Sequence, residues 1–555
     1  MLKDLTECLK KGFELGVKWT DERGVMRDPY ETNRPENFAP ACWSVIGSGL
    51  YRLTDEPRYL EWTERWVRRT AEILEENKNS SGFREYVLGY GAMLFPILSG
   101  RMEEDRLNAW KNAFASSYTK DATLSDCHVS AAQLLCDLYC NSGREKEAQK
   151  RAEEIVELFN KRLTSEGFLK DDDVNGNSIP HAYLTGSFLA ATLLNDQPGG
   201  VERQVRDLLQ KMCSWFKKAN GDFVLPFLAN RSIYQMYVYP MAAQMAFVGE
   251  GGTAKERIKT LLTFYQSFSR EAGGLSHTPN HLSPYAQAGL EYTYNRLNTD
   301  VGAGVVAWTL LALLVQQGWK GFDAVRSVSA QNVYDRDAGY VVLHGRGSRL
   351  AFTLDEHRWG YHLPLQPVSL SIGDELIGPV VVAKREGVKH PYRHQLKDES
   401  KMDPLLEPYF GIGLKRADGT YKMMKGKGEV VSRGEFKLSG AGLDLIMTTE
   451  FGDGSVRLSY RLSELKEGDQ VFFSIPVLLW DGKDELAYST AEGTLSLRWK
   501  DASYRVSATE NEGPWDLHLG RYWHAGYGLT ANMSIRLKTS PSGLMTAVTV
   551  EKGAS

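Results

Sequence analysis

The chain has 555 residues, of which 42% are hydrophobic and 25% charged, and its formal net charge is −4. This length exceeds what one ordinary hydrophobic core covers, so we expect two or more domains. The charge balance excludes nucleic acid as the main partner, because no excess of Lys and Arg is present to neutralise phosphates.

The N-terminal stretch MLKDLTECLKKGFELGVKW has no apolar segment typical of a secretory signal. The longest apolar run, residues 301–315, is too short to span a bilayer and predicts a buried helix. We expect a cytoplasmic protein without a membrane partner, or a secreted or periplasmic one if a signal was removed, and the oligomeric state stays open. No zinc-binding spacing relates the six cysteines, Cys8, Cys42, Cys127, Cys136, Cys140 and Cys213.

Residues 1–325 follow a helical period. The segment YLEWTERWVRRTAEILEE (59–76) places its aromatic and aliphatic residues on one face, and similar segments begin near residues 105, 128, 144, 201 and 254. Short links containing Gly, Asn or Pro join them. Helical hairpins at this spacing either stack as a solenoid or close into a ring. Aromatic residues near the hairpin ends, Trp43, Tyr90 and Tyr183, favour the ring, an (α/α) toroid.

From residue 326 the hydrophobic period becomes two. Segments such as AGYVVLHGRGSRLAFTLD and QVFFSIPVLLW alternate or form short β-rich runs, separated by turns containing Gly, Asp and Ser. We predict an α+β multidomain protein, with a toroid over residues 1–325 and an antiparallel β-sandwich over residues 326–555.

Residues 175–189, NGNSIPHAYLTGSFL, place polar groups before a helix. Ser178 is suited to cap that helix, and Pro180 fits its first turn. His181 and Asn177 would then stand at a helix N-terminus, which favours a bound anion. The alternative is a capped helix whose histidine is solvated.

A second stretch, LANRSIYQMYVYPMAAQM (228–245), is rich in tyrosine. Helical spacing would place Tyr234 and Tyr237 on one face, with Arg231 one turn earlier. The arginine would give the phenol an electropositive environment. The alternative is an aromatic stripe in the core.

Two polar stretches could also carry function. The loop at 273–296 contains His277, and long polar loops are often functional, although a surface excursion is equally compatible. The stretch at 355–379 contains Trp359 and His362 and suggests a polar seam between domains. A structural divalent metal in the β-domain is conceivable. Its ligands would be His357, His362, Asp374 and His394, although their spacing is not diagnostic of a metal site.

No nucleophile or phosphate-binding motif is present in the sequence. The most prominent acidic cluster, the three consecutive residues Asp171 to Asp173, predicts a solvated loop.

A helical toroid followed by a large β-sandwich resembles the polysaccharide lyases of the heparinase II/III and alginate lyase type. In those enzymes an Asn-His pair opens a helix, as in NSIPHAYL here, with Pro180 standing where the adjacent Asn would be. A basic, Ser-containing helix start precedes a catalytic Tyr, as in NRSIYQMY. Their β-domain opens with a Gly/His-rich turn, which WGYHLPLQPVSLSIGDELIGP resembles.

The resemblance implies cleavage of an acidic, uronic-acid-containing polysaccharide by β-elimination, giving 4,5-unsaturated ends, with no cofactor required. It implies Tyr234 as base or acid with Tyr237 as its backup, and His181 with Asn177 as carboxylate neutraliser or base. His362 would be a partner from the β-domain. The residues expected to bind substrate are Asn177, Arg231, Trp43, His277 and Trp359.

Two other functions are compatible with the same architecture. A glycoside hydrolase or sugar epimerase would need two carboxylates in the cleft, for which Asp126 or Glu291 are suited. A non-catalytic glycan-binding protein would present aromatic residues in the cleft without a Tyr/His pair in contact.

Overall fold

The computed structural model describes residues 1–29, 38–76, 84–116, 126–141, 143–171, 178–195, 199–227, 235–268, 278–282, 297–355, 363–373, 375–380, 409–422, 426–439, 444–463, 465–525, 527–540 and 543–553. The chain forms two compact units. The first contains Met1–Lys217, Tyr234–His277 and Tyr294–Ser329, and the second contains Lys218–Ile233, Thr278–Thr293 and Ala330–Ser555.

Helices dominate the first unit. The described α-helices are α1 (Leu2–Lys18), α2 (Ala39–Thr54), α3 (Pro57–Glu76), α4 (Arg84–Ala92), α5 (Leu94–Leu98), α6 (Glu104–Ser116), α7 (Cys127–Tyr139), α8 (Glu145–Arg162), α9 (Ile179–Ala190), α10 (Gly200–Asn220), α11 (Val238–Glu250), α12 (Lys255–Ser267), α13 (Leu297–Gln316) and α14 (Asp323–Arg326). Short 3-10 turns follow α9 and precede α11 and α12.

Six of these helices form a closed inner ring. Helix α2 contacts α4, α4 contacts α7, α7 contacts α9, α9 contacts α11, α11 contacts α13, and α13 returns to α2. Helices that lie between them in the chain pack outside, such as α3 against α2, α8 against α7 and α12 against α11. The predicted toroid is therefore confirmed.

Residue patterns explain which helices lie inside. The outer helix α3 buries one face, whereas α9 buries all of its residues from Ile179 to Ala190. A helix that is apolar all round must be enclosed by others. Helix α13 alone among those described is long and apolar enough to cross a membrane, and 94% of its apolar window is buried inside the structure. This burial confirms the prediction of a buried helix.

Antiparallel strands form the second unit. They are β1 (Val333–Asp335), β2 (Tyr340–Gly345), β3 (Ser348–Thr353), β4 (Pro367–Ile372), β5 (Gly411–Lys415), β6 (Tyr421–Lys422), β7 (Lys427–Ser432), β8 (Glu435–Ser439), β9 (Leu445–Gly452), β10 (Ser455–Leu462), β11 (Gln470–Trp480), β12 (Ala487–Ala491), β13 (Thr494–Trp499), β14 (Ala502–Ala508), β15 (Asp516–Ala525), β16 (Gly528–Leu537) and β17 (Leu544–Lys552).

Three sheets share one hydrophobic core. Their strand orders are β1-β2-β3-β4, then β12-β13-β14-β17-β10-β9-β8-β7, and β15-β16-β11-β5-β6. Leu350 from the first sheet, Met447 from the second and Phe473 from the third are fully buried in the same cluster. Buried residues alternate with more exposed ones along β10, as expected for a strand that packs one face of its sheet against the core. The predicted antiparallel sandwich is confirmed.

A buried arginine explains why a segment near residue 220 belongs to the second unit. The Arg349 guanidinium, 1% exposed, donates to the carbonyl oxygens of Asn220 at 3.4 Å and Leu225 at 3.2 Å. Phe227 also packs edge-to-face on Tyr340, with ring centroids 5.6 Å apart. The second unit therefore includes residues that lie well before residue 326, the position at which the hydrophobic period of the sequence changes.

Gly89 of α4 sets how closely α4 approaches α7. A Cβ atom on Gly89 would lie 2.4 Å from the Cβ of Ala132 and 2.8 Å from its Cα. We expect Gly89→Ala to lower the free energy of unfolding by about 1–3 kcal/mol, because backbone cannot yield as a flexible side chain does. Urea denaturation measures this. Gly200→Ala is the control, since nothing lies within 4 Å of the added Cβ; an equal loss in both variants would contradict the close contact.

Candidate active site

The first turns of the inner helices gather polar and aromatic side chains at one end of the ring. One outer helix lies between successive inner helices in the chain, except between α4 and α7, where the short α5 and then α6 intervene. The inner helices therefore run in the same direction and their N-termini meet. Trp43, near the start of α2, donates from Nε1 to the carbonyl of Asn298 in α13 at 3.2 Å. The residues at these starts are Cys42 in α2, Tyr86 in α4, His128 in α7, His181 in α9, Tyr237 just before α11 and Asp300 in α13.

A buried carboxylate joins two of these histidines. Asp171 Oδ2 lies 3.0 Å from Nδ1 of His181 and 3.8 Å from Nδ1 of His128. The two imidazole rings are 4.4 Å apart between centroids. All three side chains are buried, with 3% of Asp171, 7% of His181 and 4% of His128 exposed. His181 and Asp171 therefore form a hydrogen-bonded pair shielded from water.

Asp171 also accepts a backbone hydrogen bond at the start of a helix. Its Oδ1 receives the N–H of Cys127, the first residue of α7, at 2.8 Å. Burial works to raise the pKa of Asp171, but the His181 hydrogen bond, the charges of His128 and His181, and the Cys127 N–H together lower it. Asp171 is therefore ionised at neutral pH.

The thiol beside this pair is not a nucleophile. Burial and then the charge of Asp171 raise the pKa of Cys127 to about 12. All six cysteines are free and buried. A buried thiol in such surroundings is inert.

The same three residues are the group that could hold a metal ion in the part of the chain that is described. One ligand atom from each of His128, Asp171 and His181 lies within 4.8 Å of the others. However, the 3.0 Å separation of His181 Nδ1 and Asp171 Oδ2 is a hydrogen-bond length. The same nitrogen cannot both make this hydrogen bond and bind a metal ion. The geometry favours a proton-sharing pair.

Aromatic rings continue the site from the histidines toward α13. The Tyr86 ring lies 5.5 Å from His128 and stacks on Phe38 at 5.1 Å. Phe38 in turn stacks on Tyr90 at 5.4 Å. Tyr90 is fully buried, and its pKa is raised by burial first and then by Cys42, Tyr86, Tyr237 and Asp300. The side chains at the helix starts thus form one continuous cluster.

A repeated hairpin delivers an acid to two of the inner helices. After α1, Thr20 bridges Met26, and Asp28 follows two residues later; after α8, Leu163 bridges Leu169, and Asp171 follows at the same offset. Each hairpin turns at a glycine of positive φ, 85° at Gly24 and 102° at Gly167.

Asp28 acts on α13 as Asp171 acts on α7. Asp28 Oδ2 accepts the N–H of Asn298, the second residue of α13, at 3.2 Å. A carboxylate is favoured at a helix N-terminus, since the unpaired N–H groups and the helix dipole both attract it.

The stretch around His181 forms as predicted, with one correction. Ser178 caps α9 by accepting the His181 N–H at 3.4 Å. His181 is 6% exposed, so the alternative of a solvated histidine is wrong. The prediction of a solvated loop is also wrong for Asp171, because its carboxylate is buried against His181 and α7. The other two acids of that cluster lie outside the described residues.

Trp43 is misassigned as a substrate-binding residue. Its ring is completely buried and packs edge-to-face on Trp19, with centroids 5.9 Å apart. No ring surface remains for a sugar. Tyr237 lies in a 3-10 turn, Gln235–Tyr237, because α11 begins only at Val238. Asp126 is the N-cap residue of α7.

The remaining predicted site residues lie outside the described part of the chain. They are Tyr234, Asn177, Arg231, His277, Trp359 and His362, together with His357, Asp374 and His394 of the conceivable metal site and Glu291. Their roles stay predictions.

Sequence reasoning missed His128 and Asp28. The signal for Asp28 is the likeness of TDERGVMRD (20–28) to TSEGFLKD (164–171), which share Thr, Gly, two apolar residues, a basic residue and Asp. His128 stands one residue inside α7, as His181 stands near the start of α9. The two imidazole rings lie side by side only because the ring of helices closes.

Comparison with known proteins gives likenesses of fold. Neither a protein-family model nor a curated protein sequence matches this chain. The chondroitin AC lyase of Streptomyces coelicolor A3 is 11% identical and aligns over 100% of this chain and 80% of its own, with a TM-score of 0.49. The heparan sulfate lyase HepC of Pedobacter heparinus is 10% identical over 93% and 76%, with a TM-score of 0.47. Both are polysaccharide lyases, the class that the sequence resembles.

A glycoside hydrolase also matches. The α-1,6-mannanase GH76A of Salegentibacter sp. HEL1_6 is 14% identical over 56% of this chain and 99% of its own, with a TM-score of 0.40.

The buried position of Asp171 predicts a stability change that depends on pH. Because its pKa is lower folded than unfolded, the carboxylate stabilises the protein fully above the unfolded pKa of about 4. That stability is lost as pH falls through the folded pKa. Asp171→Asn should lower the free energy of unfolding near neutral pH by about 1.5–3 kcal/mol, because it weakens the buried hydrogen bonds that the carboxylate accepts from His181 and the Cys127 N–H.

Urea denaturation of both proteins at several pH values measures this difference. The difference in the free energy of unfolding between wild type and Asp171→Asn should become smaller below about pH 4. Asp105→Asn, at an exposed position in the first turn of α6, is the control and should change little. A gap independent of pH would contradict an ionised Asp171.

Proposed function

We propose that this protein is a polysaccharide lyase that cleaves uronic-acid-containing chains by β-elimination. The observation that carries the proposal is the buried hydrogen bond between His181 and Asp171 where the inner helices begin. A histidine held by a carboxylate is a suitable general base near neutral pH.

The electrostatics of the helix starts favour an acidic substrate. Six helix N-termini meet at one end of the ring, and each carries a partial positive charge. N–H groups at such ends bind carboxylates and sulfates, although Asp171, Ser178 and Asp28 already accept one each from α7, α9 and α13. A uronate carboxylate held there loses part of its charge to hydrogen bonds, which makes the neighbouring C5 proton more acidic.

His181 would remove that C5 proton. In the tautomer whose Nδ1–H donates to Asp171, Nε2 carries the lone pair that would accept the proton. Asp171 would also stabilise the imidazolium that forms, because its carboxylate stays ionised. The electron pair of the C5–H bond becomes the C4–C5 double bond, and the C4–O4 bond breaks with its electrons going to O4, which takes a proton from the general acid and leaves as an alcohol.

The resemblance to lyases supports further roles. Tyr234 would be an alternative base or the acid, Arg231 would lower its pKa, and Asn177 would help to neutralise the carboxylate. His362 would contribute from the β-domain. Tyr237 stands at the start of α11, the position expected of a residue facing the same end of the ring.

Incubation with a panel of uronate polysaccharides tests the proposed activity. A lyase gives products that absorb ultraviolet light through the new conjugated double bond, with one new reducing end per cleavage. New reducing ends without absorbance would identify a hydrolase and overturn the proposal. Binding without cleavage across the panel would identify a glycan-binding protein and would also overturn it.

Metal removal tests whether the histidine cluster acts as an acid–base pair. We expect turnover to survive exhaustive dialysis against EDTA. A loss that added zinc restores would assign His128, Asp171 and His181 to a metal and contradict the proton-transfer role.

His181→Asn separates catalysis from packing. The amide nitrogen of Asn can replace Nδ1 and keep the hydrogen bond to Asp171, whereas the accepting Nε2 is lost. We expect kcat/KM to fall about 10²–10⁴-fold and the melting temperature to change far less than in His181→Ala. The assay is the absorbance of the unsaturated product on a polymer that wild type cleaves.

Cys127→Ser is the matched control for this variant. It changes a buried side chain beside Asp171 but keeps the backbone N–H that Asp171 accepts. Turnover should be retained. Wild-type kcat/KM in His181→Asn would show that His181 is not the base.

A further inference from the structure

A row of side chains crosses four neighbouring strands on the outer face of the eight-stranded sheet. Lys437 of β8 lies opposite Ile446 of β9, which lies opposite Arg461 of β10. Arg461 in turn lies opposite Met545 of β17. The residues next to these four along each strand are buried. Because successive side chains of a strand point to opposite faces, the row points away from the core.

This row lines a cavity of about 410 Å³ at the surface of the sheet. Sites for small ligands usually occupy about 300–1,000 Å³. Further lining residues are Ser463 after β10, Gly543 before β17 and Asp444 before β9. Met545 is 76% exposed. The cavity is therefore large enough for a ligand and open to solution.

Two cations of the row are available to a ligand. The side chains of Lys437 and Arg461 form no ion pair or hydrogen bond with any residue that the structure describes. By contrast Arg457, on the same face of β10, lies 3.9 Å from Glu450. One strand separates Lys437 from Arg461, which spaces their backbones about 10 Å apart. The lining contains one acid, Asp444, so its net charge is positive.

The same cavity offers acceptors for hydroxyl groups. Ser463 donates its hydroxyl proton to the carbonyl oxygen of Asp444 at 3.3 Å, so the lone pairs of its oxygen can accept a hydrogen bond. The Asp444 carboxylate is exposed and accepts hydrogen bonds without donating any. A bare anion would have no use for these two acceptors.

The row also contains an apolar surface. Ile446 lies between the two cations, and Met545 lies beside Arg461. Methionine is flexible and adapts its shape to ligands of irregular outline. A ligand that fills this cavity would therefore combine negative charge, hydroxyl groups and an apolar face.

We propose that this cavity is a second glycan-binding site, which binds uronate-containing oligosaccharides without cleaving them. A uronic acid presents a carboxylate to the two cations, hydroxyl groups to the two acceptors, and the C–H groups of its ring to the apolar pair. Charge-assisted hydrogen bonds to the carboxylates supply most of the attraction. The choice of a uronate ligand rests on the proposed lyase activity.

The methyl group of Met545 reports directly on occupancy of the cavity. Full-length protein carrying His181→Asn, which prevents consumption of the ligand, is labelled with ¹³C at its methionine methyl groups, and Met545→Leu assigns the resonance. We titrate it with tetrasaccharides from polygalacturonate, alginate and chondroitin. We expect a saturable shift of the Met545 signal with at least one of them. A signal that stays unchanged at millimolar concentrations of all three would overturn the inference.

A charge-removal variant tests the role of the cations. Lys437→Gln combined with Arg461→Gln keeps two polar side chains at exposed or half-buried positions and removes both charges. The dissociation constant from the Met545 titration should rise about tenfold. Arg457→Gln is the matched control on the same face of β10 and should leave it unchanged. No change in the double variant, or an equal change in the control, would overturn the inference.

Two further ligands test the chemical class. Sodium sulfate carries charge without hydroxyl groups, and maltotetraose carries hydroxyl groups without charge. We expect both to bind more weakly than the uronate tetrasaccharide. Equal binding of sulfate would identify a simple anion site, and equal binding of maltotetraose would show that the cations are not used. Either result would overturn the inference.

The titration separates this inference from the lyase proposal, because it requires no turnover. If wild type forms unsaturated product and the Met545 signal does not move, only the second site fails. If the Met545 signal shifts and wild type forms no unsaturated product from any uronate polymer, the lyase proposal fails and the binding site is retained.

Discussion

The convergence of six helix N-termini is the constraint on which the site depends. The inner helices of this ring run in one direction, and this brings the N–H groups of their first turns to one end. Negative charge is stabilised there and positive charge is not. The groups found at these starts follow that rule, since Asp171 and Asp28 each accept a first-turn N–H from a helix to which they do not belong.

Environment shifts the pKa values of two carboxyls at these helix starts in opposite directions. Asp171 is held as an anion because histidines and an N–H group outweigh its burial. Asp300 stands in the first turn of α13, where the helix dipole would favour its ionisation. Its burial and then the charge of Asp28 outweigh that dipole and raise its pKa well above the usual range.

The sequence predicted much of the fold and part of the site. The change from a period of 3.6 to a period of two located the helical and β-rich parts, because burial of one face fixes these periods locally. Ser178 as a helix cap and His181 in the turn that follows were also local properties. Asp171 was misjudged because three adjacent acids look solvated, and nothing nearby in the sequence shows that Cys127 and His181 will enclose it.

By itself, the sequence determined the two architectures, the buried helix α13 and the start of α9, since each follows from residues within a few turns of one another. Only the tertiary structure decided that His128 lies beside His181 and that Asp28 lies at the start of α13. These partners are separated by 53 and 270 residues along the chain, and ring closure alone brings them together. Burial and charge at that meeting point set the proton states, and neither exists until the ring has formed.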